Sequence, residues 1–529
     1  MATPTERVSQ VAKERRMGGS QDRDHGRRRD RDRHALVPFF AFAVCAAFGA
    51  SAAFASMPVA PASASGTSSG PSSELVDTGS LSAISQITGA QAMWSLGFTG
   101  AGVGVAVIDT GVARVPGLDR AGKVIDGPDL SFDSQVPGLV HTDAFGHGTH
   151  IAGIIAGSDV APGGWPVGCA TCTGLSPYTD TTKFVGIAPE ARIVNVKVGA
   201  YDGSVDVTQI IAGINWVIQH RFDPGLNIRV LNLSFGTDSV QPAEIDPLAF
   251  AVEAAWRAGI VVVAAAGNDG AVVGPLGDPA ISPSVIAVGA TDPVGTLKTS
   301  DDVVASFAQH GTTQRGVDVS APGVSVMSLR VPDGFVDQNV TTGKVGTRFQ
   351  RASGTSQSTA VVSGLAALIL SKLPFATPDQ VKALLTLGAQ PVKADTQNKR
   401  EYVGTGVASL ATFARLGITD LFRTVSAVLP TLPSSTGTGS LEESRGTYHV
   451  TAGDIPLGGE RDIFGRPWNT AALAAATTAQ SGWRGGTWSG SQWTADLWSN
   501  GTWPSVQWSG TDWIGAPWQP VNGDVTSTS

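Results

Sequence analysis

The 529-residue chain is 42 % hydrophobic and 15 % charged, carries a net charge of −8 and has only three cysteines. Those figures exclude a wholly disordered chain, a disulfide-built scaffold and a nucleic-acid partner, which would draw on clustered Lys and Arg. Glycine is abundant at 65 residues, and the length exceeds what one hydrophobic core usually supports, so one large domain with attached segments is expected.

The N-terminal stretch does not read as part of that domain. Residues 1–34 end in Arg27-Arg28-Arg29-Asp30-Arg31-Asp32-Arg33-His34, and an apolar run over 35–55 follows, closing on Ala53-Phe54-Ala55 before Ser56. Basic flank, apolar run and small-residue site read as a signal peptide. The alternative is a retained membrane anchor, because a run of this length crosses a bilayer. In either case everything after residue 55 lies outside the cytoplasm. Residues 56–84 are rich in Ala, Ser, Pro and Gly without apolar periodicity and read as linker.

From 85 to 420 short β-branched runs alternate with helical stretches. Strands are expected at 103–108, 192–198, 230–233, 260–264 and 285–288. Helices are expected at 207–220, where Ile210, Ile211, Ile214, Val217 and Ile218 share a face, and at 247–257. Continuous apolar strands separated by helices imply an α/β fold with a mainly parallel sheet covered by helices on both faces. In such sheets the site lies beyond the carboxyl ends of the strands.

Three motifs fall at such positions. The first strand ends in Ile108-Asp109-Thr110-Gly111. Phe145-Gly146-His147-Gly148-Thr149-His150 starts an apolar helix, and Ser353-Gly354-Thr355-Ser356 precedes another. Each alone has a structural explanation as a turn, a helix start or an N-cap. Together they supply a hydroxyl nucleophile, an imidazole to take its proton and a carboxylate to orient the imidazole. With Gly-His-Gly-Thr-His and Gly-Thr-Ser in this order, residues 90–415 resemble the subtilisin-like serine proteases.

The resemblance implies a subtilisin-like fold and roles for individual residues. Ser356 matches the nucleophile, His147 the general base and Asp109 the orienting carboxylate. Asn268, in Ala264-Ala265-Ala266-Gly267-Asn268, matches the oxyanion-hole asparagine. A peptide substrate would add as a strand along Ser234, Phe235 and Gly236, opposite an edge at 199–204 that includes Asp202. Ala264, Ala265, Ala266 and Gly267 would wall the side-chain pocket, which contains no acidic residue and so favours apolar side chains. His150 is read as structural rather than as a metal ligand, and no metal site is assigned. The chemistry needs no cofactor. An insertion at 158–183 occupies the region where many relatives hold calcium, which leaves a structural calcium open. Within it, Cys169 and Cys172 are a disulfide candidate in an exported protein. Gln357-Ser358-Thr359-Ala360 departs from the Met-Ala-x-Pro that usually follows the family's serine.

Beyond 420 the pattern stops. Residues 421–480 read as linker and tether: Pro430 to Thr438 is a Pro/Ser/Thr/Gly linker, and Arg445 to Gln480 either packs on the catalytic domain or simply tethers. Then Trp483, Trp488, Trp493, Trp498, Trp503, Trp508, Trp513 and Trp518 recur every five residues, a repeat-containing tail over 481–520. Exposed indoles would offer faces to glycans or a cell wall, or else pack on themselves. The sequence therefore describes a secreted or surface-exposed serine endopeptidase acting on protein or peptide substrates, with membrane contact only through a retained anchor. The competing reading is an inactive protein of the same fold that binds through its tail.

Overall fold

A computed structural model describes residues 77–134, 136–160, 184–270, 275–392, 399–426, 428, 435–452, 455–492 and 508–509. All of them belong to one compact unit spanning 73–529. The signal or anchor, Cys169 and Cys172, and most of the Trp repeat lie outside the described residues.

The apolar runs form one twisted sheet. In β1 (Gly104–Asp109) every residue is buried, which requires cover on both faces. Parallel to it lie β3 (Arg192–Lys197) on one side and β4 (Ile228–Leu233) on the other. Beyond β3 stands β2 (Val124–Asp129), and beyond β4 follow β5 (Val261–Ala265) and β6 (Ile286–Asp292). The order is β2-β3-β1-β4-β5-β6, with β7 (Val303–Val304) and β8 (Val319–Pro322) both pairing with β6. Of the described strands in this sheet, only β7 runs antiparallel.

Helices α3 (His147–Ala156) and α7 (Thr355–Lys372) pack on each other and on the sheet; α4 (Val207–His220) and α5 (Pro247–Arg257) form a second packed pair. Local capping explains where the second pair begins. Asp206 and Gln209 make a reciprocal capping box on α4, and Asp246 accepts from Leu248 and Ala249 at the start of α5, where Pro247 takes the first position. The α7 helix is buried on nearly all sides, as a helix at the centre of a large domain should be. It starts at Thr355, so Ser356 lies inside its first turn rather than ahead of it.

One boundary differs from the sequence reading. The stretch read as linker up to residue 84 contains most of α1 (Leu81–Ile87), capped by Ser80 and burying Leu81, Ile84 and Ile87; α2 (Ala90–Trp94) follows. Two turns of helix with few large apolar residues give too short a periodic signal to stand out from the Ser- and Gly-rich surroundings. Of the two alternatives for Arg445 to Gln480, the structure has the segment packed on the domain. Leu441, Val450 and Ile463 are fully buried, and Arg445, also fully buried, sends Nε to Asp206 Oδ1 at 2.7 Å. Two strands, Trp483–Arg484 and Thr487–Trp488, then pair antiparallel with the two indoles opposite each other, both buried. Trp483 Nε1 donates to Ala212 O of α4 at 2.9 Å.

Candidate active site

Asp109 ends β1, and its Oδ1 lies 2.8 Å from His147 Nδ1, with the histidine 2 % and the aspartate 0 % exposed. A carboxylate only accepts, so Nδ1 carries the hydrogen and Nε2 is the ring nitrogen able to take a proton. Thr110 N–H donates to the same Oδ1 at 2.8 Å.

His147 opens α3, where Gly146 has no side chain to cap the helix. Asp143 caps it instead. Its carboxylate accepts from Gly146 N at 2.6 Å, Thr149 N at 2.7 Å and Thr110 Oγ1 at 2.9 Å. Thr110 Oγ1 in turn accepts from Gly148 N at 2.9 Å, tying the start of α3 to the end of β1. That approach needs glycine at 148, because a Cβ there would stand 2.1 Å from Gly111 O and 3.0 Å from Asp109 Oδ1. Burial pushes the Asp143 carboxyl up, against the bonds from Gly146 and Thr149 that favour its charge. The loop carrying Asp143 is pinned by the fully buried Lys197, whose Nζ donates to Asp133 Oδ2 at 2.9 Å, Leu139 O at 2.9 Å and Thr142 O at 2.8 Å. Sequence reasoning missed Thr110, Asp143 and Lys197. The signal available for Asp143 was an acidic residue just ahead of an apolar helix start.

Ser356, 1 % exposed, is the second residue of α7, and its Oγ reaches Ser234 O at 3.4 Å. The first-turn N–H groups of a helix lack intrahelical acceptors and carry its positive dipole end, so an anion forming there is favoured. Asn268 is held from the same turn. Its Oδ1 accepts from Thr355 N at 2.8 Å and Thr355 Oγ1 at 3.0 Å. Because the backbone N–H can only donate, the atom it meets must be the oxygen, and Nδ2 therefore points away from it. That Nδ2 is buried and has no hydrogen-bond acceptor among the described residues. Gln357, 3 % exposed, lies beside this turn. A Cβ placed on Gly354 would be 2.7 Å from Gln357 Oε1 and 3.7 Å from Ser356 N.

The segments expected to bind substrate are brought together. Ser234, Phe235, Gly236 and Ala264 to Gly267 are all buried. They are joined through a third segment that sequence reasoning did not include. Thr237 and Asp278 exchange backbone bonds at 2.8 and 2.9 Å, and Gly277 N donates to Ala266 O at 3.0 Å. Asp202, on the expected opposite edge, is occupied with Ser204, whose N–H donates to it at 3.0 Å. Two further acidic residues end the wall segments: burial pushes the Asp269 carboxyl up, and the charge of Asp238 adds to that shift. Burial pushes His150 down to about 3, with the charge of His147 acting in the same direction, so its ring is neutral. Among the described residues, no group of three or more His, Cys, Asp or Glu is placed to hold a metal ion.

Comparison with known proteins converges on one family. Residues 100–406, more than half the chain, match the Peptidase_S8 model, described as the subtilase family. Serine protease AprX of Bacillus subtilis (strain 168) is 39 % identical over 306 residues, covering 57 % of this chain and 64 % of that protein, just under two thirds of its length. Subtilisin DY of Bacillus licheniformis is 35 % identical over 292 residues, covering 55 % of this chain and 84 % of that protein. Among solved structures, Sphericase aligns with a TM-score of 0.46 and 26 % identity over 59 % of this chain and 92 % of that one.

Proposed function

The chain belongs to the subtilase family, and from that premise we propose that it is an exported endopeptidase that cuts proteins or peptides with Ser356, His147, Asp109 and Asn268. Residues 100–406 are a subtilisin-like serine endopeptidase domain, a hydrolase. The observation that carries the residue assignment is the 2.8 Å contact between Asp109 and His147 at the meeting of β1 and α3. Ser356 Oγ attacks the carbonyl carbon of the scissile bond while its proton passes to His147 Nε2. Asp109 holds the ring in that tautomer and stabilises its protonated form. The oxyanion is met by Asn268 Nδ2 and the Ser356 N–H, both fixed before substrate arrives. His147 then gives the proton to the departing amine, and water repeats the sequence on the acyl-enzyme.

Action outside the cytoplasm rests on the basic flank and apolar run ahead of residue 56. The serine route itself uses no cofactor. Glycan or wall contact would belong to the Trp repeat.

A serine-reactive fluorophosphonate tests the reading. It should label the parent and not Ser356→Ala. Ser356→Ala and His147→Ala should each lower peptide turnover by about 10⁴ or more while the melting temperature stays near that of the parent. An unlabelled, folded parent would instead favour the inactive binding protein.

A further inference from the structure

The expected substrate-binding strand Ser234 to Gly236 leads directly into residues bonded to a segment two hundred residues farther along the chain, in the region after α11 (Ile418–Val425). This strap runs from Ser440 through α12 (Leu441–Arg445) to Thr447. Thr237, directly after the expected substrate-binding residues Ser234 to Gly236, sends Oγ1 to Ser444 O at 2.6 Å. The next residue, Asp238, accepts from Thr447 N at 2.7 Å and Thr447 Oγ1 at 2.6 Å. Gly446 makes the close approach possible. Its φ is +60°, and a Cβ there would stand 2.0 Å from Asp238 Oδ1 and 2.8 Å from the Asp238 carbonyl carbon.

The strap is itself anchored. Ser444 Oγ donates to Asp246 Oδ1 at 3.1 Å, and Gln241 Nε2 donates to Ser440 O at 2.7 Å. Arg445, fully buried, joins Asp206 at the cap of α4 and also donates to Gly459 O at 2.8 Å. Thr237 is also bonded to Asp278 and, through Gly277, linked to the pocket wall at Ala266. The 234–238 segment is therefore held between the rest of the pocket frame and the strap.

We propose that residues 440–447 are a positioning element for substrate selection, with Gly446 and Thr447 setting the placement of the 234–238 segment, whose first three residues are the expected substrate edge beside the pocket. The inference rests on the serine-peptidase reading. Selection by a pocket depends on its walls being held to within about half an ångström. A substrate whose side chain fills the pocket senses the wall's position, whereas one with a small side chain does not. The groups assigned to the chemistry stand on β1, α3, α7 and the end of β5. Loosening the strap should therefore change selectivity rather than the chemical step.

The test uses the full chain, with active sites counted by fluorophosphonate labelling. Gly446→Ala, Thr447→Val and Thr447→Ser are compared with the parent on two peptides that differ only in Phe or Ala before the cut. Per labelled site, Gly446→Ala and Thr447→Val should shift the Phe-to-Ala ratio of kcat/KM by about tenfold, through KM for the Phe peptide. Thr447→Ser, which keeps the hydroxyl, should behave as the parent, and kcat on the Ala peptide should hold within about twofold throughout. An unchanged ratio in both disruptive variants overturns the proposal. So does an equal loss on both peptides accompanied by a lower melting temperature, since that marks a merely structural strap. A parent that takes no label defeats the peptidase reading first and this inference with it.

Discussion

Gln357 stands beside Ser356, the proposed nucleophile, where the resemblance to subtilisin-like proteases leads one to expect methionine. The structure puts its amide within contact of Gly354 and next to the first turn of α7. An amide does not react with peroxide, whereas a thioether becomes a bulkier, polar sulfoxide. Met327, the only methionine after residue 95, is fully buried in β9 (Val326–Leu329). Incubation with peroxide should therefore leave turnover largely intact in the parent, and Gln357→Met should make it sensitive; equal loss rates in the two would contradict this account. Asn268 allows a second residue-level expectation. Under the proposed mechanism Asn268→Ala removes an oxyanion donor and should lower kcat by about 10²–10³, the magnitude known for the equivalent change in a subtilisin, with KM little changed. Equal kcat in the variant and the parent, at matched labelled sites, would remove Asn268 from the mechanism.

At the scale of elements, the site depends on how helix starts are tied to strand ends. Asp143, Thr110 and Gly148 join α3 to β1, and Thr355 with Asn268 joins α7 to the turn after β5. The C-terminal segment is joined in the same manner, through Arg445 at the capping residue of α4. Both members of that ion pair are fully buried. Arg445→Ala would leave the Asp206 carboxylate buried without its counter-charge, so unfolding in denaturant should show a loss of about 3–5 kcal/mol. Truncation after Pro433 removes Arg445 together with the buried Leu441, Val450 and Ile463 and should destabilise the catalytic unit at least as much. A truncated chain that melts with the parent would show that the segment is a passive attachment after all.

Across the whole molecule, two buried groups shape the response to pH. Burial pushes Asp302 up to about 7, with the charges of Asp301 and Asp292 in the same sense; Thr291 opposes the shift by hydrogen bonding. In the unfolded chain the carboxyl loses its proton near 3.8, so between about 4 and 7 the folded state binds more protons. Stability conferred by this residue is therefore lost as pH rises through that window, and the loss is complete above it. His150 acts in the other direction. Its contribution is full above about 6.5 and is lost as pH falls toward 3, because only the unfolded chain can readily charge the ring. Asp302→Asn should accordingly raise the melting temperature at pH 8 and change it little at pH 4. A pH-independent shift would show that Asp302 acts by packing rather than by titration.

Much of the architecture was legible without coordinates, for local reasons. The β1, β3, β4, β5 and β6 strands are buried apolar runs bounded by turn residues, and α4 and α5 show helical spacing with acidic caps. The residues assigned to the chemistry were legible because the motifs around Asp109, His147, Asn268 and Ser356 are short and contiguous. The β2 strand was not, since its half-exposed sequence with Gly127 and Pro128 looks like loop and pairs only because β3 supplies an edge. Nor could any local pattern show that Asp143 also holds Thr110 at the end of β1, that Thr355 turns the amide of Asn268, or that Arg445 closes on Asp206. The sequence by itself determined which side chains could do the chemistry and which runs would be buried. Tertiary structure alone decided what orients those side chains, because a buried charge or amide is placed by partners remote in sequence. Burial makes each missing partner costly, and that cost favours the arrangement in which Asp143, Lys197 and Arg445 are each met by several partners.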